Sequence, residues 1–185
     1  MINEHDSIDW SSMSHAYGPA SDVPAWLREM AAADSNVRDK TLGHFYSAAH
    51  HQGDVYACTT ASLPFLFALA DDPAAPDRAS IVELLLSIGR ESVDRDDDGI
   101  RFAPDGTIST ACADSAAVMR DHADAFVSYA ADPDPGVRRA ACGVRRSRAW
   151  VSSSTTPSAR SDNRTPAGSR PSRACSVTLQ PRAEP

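Results

Sequence analysis

The sequence predicts an all-α protein, a short α-solenoid of stacked antiparallel helix pairs. Three observations carry this. An apolar stripe at helical spacing recurs at offsets of about 40 and 60 residues. Each copy is followed by a polar turn and a second apolar stripe. An arginine stands at one repeat position just after each turn, as Arg38, Arg78 and Arg138. A period near 40 with two helices per unit marks a helical solenoid, because one helix pair cannot bury its apolar face alone.

The central copy is the clearest. Leu63, Leu66, Phe67 and Ala70 are spaced i, i+3, i+4, i+7, one face of a helix. In the first copy the same positions are Val23, Trp26, Leu27 and Met30. Asp22 and Ser62 read as N-cap residues, with Pro24 and Pro64 in the first turn, where a missing N–H costs nothing. In the third copy Phe126 and Val127 match Leu66 and Phe67, Ala130 matches Ala70, and Asp132-Pro133 matches Asp72-Pro73. The longer second offset requires an insertion, and the polar stretch at 92–111 supplies it. The repeats then cover about 22–50, 62–91 and 114–141, in a domain of residues 1–141.

Taken in order, Trp10, Met13 and Tyr17 share a helical face and predict a short capping helix that ends at Gly18-Pro19. Helices follow from about Val23 to Ala33 and from about Val37 to Ala49, the second with Val37, Thr41, Phe45 and Ala48 inward. Tyr56 opens a helix that Pro64 is expected to kink or restart. The helix from Pro76 to Arg90 carries Ile81, Val82, Leu84, Leu85, Leu86 and Ile88. A helix apolar on nearly every side is expected in the middle of a stack. Residues 112–131 are read as helical again, with Val118, Met119, His122, Phe126 and Tyr129 on one side.

The run Asp-Pro-Asp-Pro-Gly-Val-Arg-Arg-Ala-Ala at 132–141 resembles the turn and second-helix start of a HEAT repeat, and Asp34-Ser-Asn-Val-Arg38 is a weaker echo. Over about residues 8–142 the chain is similar to small bacterial HEAT-repeat proteins. One departure is Asp77, where the pattern has valine before the arginine. The resemblance implies a protein-binding scaffold without catalytic residues. It also implies the alternative of a HEAT-like lyase or enzyme accessory subunit, since such folds include lyases acting on bilin chromophores and alkyl-purine DNA glycosylases. It lends no residue a catalytic role.

Charge and motifs narrow the function classes. Residues 1–135 hold 8 basic and 23 acidic side chains, a net −15, whereas residues 136–185 hold 10 basic and 2 acidic, a net +8. The acidic body argues against nucleic acid as its main partner and against an anionic membrane surface. A protein or peptide, favoured if basic, is the expected partner. Cys58, Cys112, Cys142 and Cys175 are widely spaced with no C-x-x-C, the pattern of reduced packing thiols in a cytoplasmic protein. No positive segment leads into an apolar one at the N-terminus, so no signal peptide is expected. GxGxxG, GxxxxGK and HExxH patterns are absent, and no cofactor is expected.

Two stretches carry competing chemistry. His50-His51, with His44 nearby, could contact a metal, but adjacent helical residues point about 100° apart. The expected role is at a helix C-terminus, imidazole against free carbonyls. Asp94-Arg-Asp96-Asp-Asp98-Gly99 opens like an EF-hand loop, with Asp94, Asp96 and Asp98 at positions 1, 3 and 5 and Asp105 at position 12. Asp105 is short for a bidentate ligand, and Pro104 and Gly106 oppose an exiting helix. The rival readings, a small hairpin turning at Pro-Asp-Gly or a solvated acidic loop, are preferred. Residues 142–185 read as a disordered basic Arg/Ser/Pro-rich tail. Arg145, Arg146 and Arg148 fall where the stripe repeats Phe45, Tyr46 and Ala48, in mid-helix. That break is expected of a reading-frame shift, and reading the gene's other two frames from codon 140 decides it.

Overall fold

The computed structural model describes residues 7–96, 103 and 106–143. All of them lie in the first of two compact units, Met1–Thr155; the second is Thr156–Pro185. The described chain is mostly helical. Its helices are α1 (Val23–Glu29), α2 (Ser35–Ala48), α3 (Ala57–Asp71), α4 (Arg78–Asp96), α5 (Ala111–Asp121), α6 (Ala123–Ala130) and α7 (Pro135–Cys142). None is long and apolar enough to cross a membrane. The segment from 144 onward, with Arg145, Arg146, Arg148 and Cys175, lies outside the described residues.

Local chemistry sets the ends of these elements. The Asp34 carboxylate accepts from the Asn36 N–H at 2.9 Å and starts α2. Asp134 does the same for α7 through the Gly136 N–H at 2.7 Å, with Pro135 in the first turn. Arg38 donates through Nη1 to the Ala32 and Ala33 carbonyls at 2.7 and 2.8 Å. Arg138 meets the Asp132 and Pro133 carbonyls in the same way, at 2.6 and 2.7 Å. Arg78 reaches the Ala70 carbonyl through Nε at 2.8 Å. At one repeat position, Arg38 and Arg138 therefore satisfy carbonyls of the turn before their own helix, and Arg78 a carbonyl in the last turn of α3, which has no intrahelical donor.

Helix packing follows the apolar stripes. α1 packs on α2 and α3, α3 on α4 and α5, and α6 on α7. α4 touches α3, α5 and α7, as its sequence requires, with Ile81, Val82, Leu84, Leu85 and Ile88 buried. Thr41, Phe45 and Ala48 are buried on α2, and Val137, Ala140 and Ala141 on α7. Leu27, Leu66 and Phe67 are buried as expected, but Trp26 is only half-buried, its ring stacked on His15 at 5.6 Å.

Four expectations give way. The first segment is not a capping α-helix: Trp10–Ser12 is a single 3₁₀ turn, and Ser14–His15 pairs antiparallel with Gly18–Pro19. Gly18 takes φ +146°, which turns the chain back where the helical stripe would have run on. Pro64 stands inside α3, not in its first turn, and the helix runs through it. α4 continues to Asp96, into the stretch read as insertion. Arg95 holds it there through Asp54, the Gln52 carbonyl at 3.0 Å and Glu91 at 3.2 Å. Finally, residues 112–131 form two helices that break at His122, whose Nδ1 sits 2.9 Å from the Val118 carbonyl.

Candidate functional site

The arginines that close the helix ends also reach across helix pairs. Arg38 Nε pairs with Asp77. Arg78 grips Asp132 with both terminal nitrogens, at 3.3 and 2.8 Å, and both side chains are nearly buried. The Asp132 carboxyl is held below the usual carboxylate range by that pairing and then by the Asp134 N–H. The departure at Asp77 has a structural meaning: its φ is +53°, a conformation that aspartate tolerates and a β-branched valine resists. Asp77 thereby stands off the start of α4 and meets Arg38.

The histidines take structural places. His51 Nδ1 lies 2.7 Å from the Ser47 carbonyl at the end of α2, the role its sequence position suggested. His50 is buried; its Nδ1–H faces the Asp54 carbonyl at 3.0 Å and its Nε2 the Ser87 hydroxyl at 2.9 Å. His44 is exposed, its ring 6.0 Å from Trp26. No sequence pattern marks His15. It is buried between Trp26 and the Asp22 carboxylate, 3.2 Å away, and its Nδ1 accepts from the Tyr17 N–H at 3.1 Å. Both ring nitrogens of His15 and of His50 are therefore engaged.

Burial, opposed by the Asp54 carbonyl and Glu91 and reinforced by Arg95 and Arg90, lowers the pKa of His50. The sign of its pH effect follows. Between that lowered value and about 6.5 the unfolded chain binds more protons than the folded one, so stability falls as pH drops through this window. Unfolding curves between pH 7.5 and 5 should show this slope, and His50→Gln should flatten it.

The acidic stretch divides. Asp94 and Asp96 belong to α4, so the first two expected loop positions are helical. Asp98 and Asp105 lie outside the described residues. The Ala103 N–H meets the Thr107 carbonyl at 2.8 Å and Gly106 sits at φ +81°, while Pro104 and Asp105 of the expected turn lie outside the described residues. Among the described residues no three His, Cys, Asp or Glu side chains are grouped to hold a metal. Burial pushes the Cys58 thiol up to about 12, so it is not a poised nucleophile. Cys112 is also buried, but Cys142 is exposed, unlike the packing residue its sequence suggested.

Of the concavities among the described residues, two have mainly apolar walls contributed by the repeat helices. A cavity of about 270 Å³ lies where α7 ends, between Leu86, Gly89 and Val93 of α4 and Met119, Phe126 and Ala140. A larger open groove of about 750 Å³ runs between α1 and α3. Leu27, Ala31, Phe65 and Leu69 form its apolar lining, and Asp71 and Asp72 stand at one end. Fold and sites define a mostly helical protein with an apolar, acid-edged groove. Searches of protein families, curated proteins and solved structures returned no match to the chain.

Proposed function

We propose that the chain is a non-enzymatic, protein-binding scaffold, a short α-solenoid of HEAT-repeat type acting in the cytoplasm. The groove between α1 and α3 carries this reading. It offers half-buried Phe65 and Leu69 to an apolar side chain and the exposed carboxylate of Asp72 to a cation, beside Asp71, which accepts from the Tyr129 hydroxyl at 2.6 Å, and with Arg28 also on its wall. A basic amphipathic peptide or helix is the ligand that satisfies both. The net −15 of residues 1–135 adds long-range attraction for such a partner.

Support for the solenoid form comes from the recurrence of one geometry at Arg38 and Arg138, from an arginine that meets the preceding helix end at the same position in the middle copy, Arg78, and from the packing of α1 on α3 and of α4 on α7. Those contacts join like helices of successive pairs. The test is capture from native lysate by the tagged full-length chain, followed by mass spectrometry. Capture of a basic protein that is lost with Leu69→Asp and weakened by salt supports the reading. Capture indifferent to Leu69→Asp overturns the groove as its site, and no specific capture overturns the scaffold.

A further inference from the structure

Two adjacent residues in the turn between α2 and α3 are left-handed, Gln52 at φ +51° and Gly53 at φ +81°. Glutamine resists that conformation, so contacts from elsewhere must hold it. They come from α4. The Gly53 backbone lies so close to that helix that a Cβ there would sit 3.0 Å from the Glu91 carboxyl carbon. Arg95 spans the gap, bound at once to Asp54, to the Gln52 carbonyl at 3.0 Å and to Glu91 at 3.2 Å.

His50 is a second tie between turn and helix. A carbonyl can only accept, so the proton of the neutral ring sits on Nδ1, facing Asp54, and the Ser87 hydroxyl donates to Nε2. A second proton reverses the Ser87 bond and places a charge on a residue only 3% exposed. The groups around it are Tyr46 of α2, with its ring 5.9 Å away, and Arg90, Glu91 and Arg95 of α4. His51, beside it, turns instead to the Ser47 carbonyl and the Tyr17 hydroxyl. Glu91 favours a charged ring, but its carboxylate is already shared between Arg90 and Arg95, and both arginines oppose that charge. Relief comes from water, and the turn can move to reach it. The middle of α4 cannot, because Leu84, Leu85 and Ile88 are fully buried.

We propose that protonation of His50 releases the 50–54 turn and the end of α4, residues 93–96, as one unit, while the middle of α4 stays packed. The coupling runs through Arg95. Two of its three partners, Asp54 and the Gln52 carbonyl, belong to the turn, so a turn that moves away leaves the end of α4 without its anchor. The result is an acid-operated latch at one end of the central helix. Differential proton binding drives it. The released ring takes up a proton near the ordinary imidazole value of about 6.5, and the docked ring does so only at lower pH. The open population therefore grows as pH falls through that window, by about tenfold per pH unit at most.

The test is amide hydrogen exchange of the full-length chain, read by mass spectrometry between pH 7.5 and 5.5 and corrected for the intrinsic pH dependence of exchange. Protection of 50–54 and of 93–96 should fall together as pH drops below about 6.5, while 81–88 keep theirs. His50→Gln offers an amide N–H to Asp54 and an oxygen to Ser87 without a titrating proton. It should keep both segments protected across the range. Gly53→Ala, whose Cβ pushes the turn off Glu91, should show the low-pH pattern already at pH 7.5. Constant protection in the parent chain, an unchanged pH response in His50→Gln, or loss at 50–54 with 93–96 unaffected overturns the latch. Parallel loss over 81–88 also overturns it, by making the response global unfolding.

Discussion

Leu85→Ala should lower unfolding stability by about 2–5 kcal/mol, measured by urea denaturation followed by helical circular dichroism. Leu85 has no exposure, and it lies on α4, the helix that meets α3, α5 and α7. Truncation there removes contacts within the central helix's packing surface. The neighbouring side chains are themselves fixed: Leu84, Ile88 and Met119 are fully buried. They can collapse only partly into the space, which is why the cost should exceed simple transfer. A loss below about half a kilocalorie would place Leu85 outside the core. Leu86→Ala, at a half-buried neighbour on the same helix, is the internal control and should cost clearly less.

Arg78→Ala is the second large expected effect. The guanidinium closes the end of α3 through the Ala70 carbonyl and joins α4 to the turn before α7 through Asp132. Removing it leaves that carbonyl without its donor and Asp132 with the Asp134 N–H alone. The midpoint of thermal unfolding should fall by roughly 5 °C or more. Arg38→Ala should cost less, because its partner Asp77 is almost half exposed and a solvated pair contributes little. The variant also carries a pH signature. Asp132 is held below its unfolded value, so its pairing contributes stability above about pH 3.9 that is lost as pH falls through the folded value. Arg78→Ala should therefore be less sensitive to acid than the parent chain.

The sequence by itself determined the helical class, the two apolar stripes per unit and most of the buried side chains. Stripe spacing is a local property: 3.6 residues per turn decides which side chains share a face, whatever the face meets. It therefore placed Leu27, Leu66, Phe67, Leu85 and Ile88 correctly. It also found the arginine position and the helix-end role of His51, since these act within a turn or two of chain, but its expected caps were Asp22, which makes no side-chain cap bond, and Ser62, which lies inside α3. Where it failed, a distant partner made the choice. α4 runs on to Asp96 because Arg95 finds Asp54 and the Gln52 carbonyl, more than 40 residues back. Pro64 stays inside α3 although local rules would start a helix there, since the flanking Leu63, Leu66 and Phe67 are held in the core. His15 is a buried polar residue fixed by Asp22 and Trp26, a pairing that no local pattern announces. The candidate surface lies wholly on this second side. The acid-edged groove exists only once α1 and α3 lie together. Val127 is exposed where Leu27 and Phe67 are buried, because exposure depends on what packs over a stripe and not on the stripe itself.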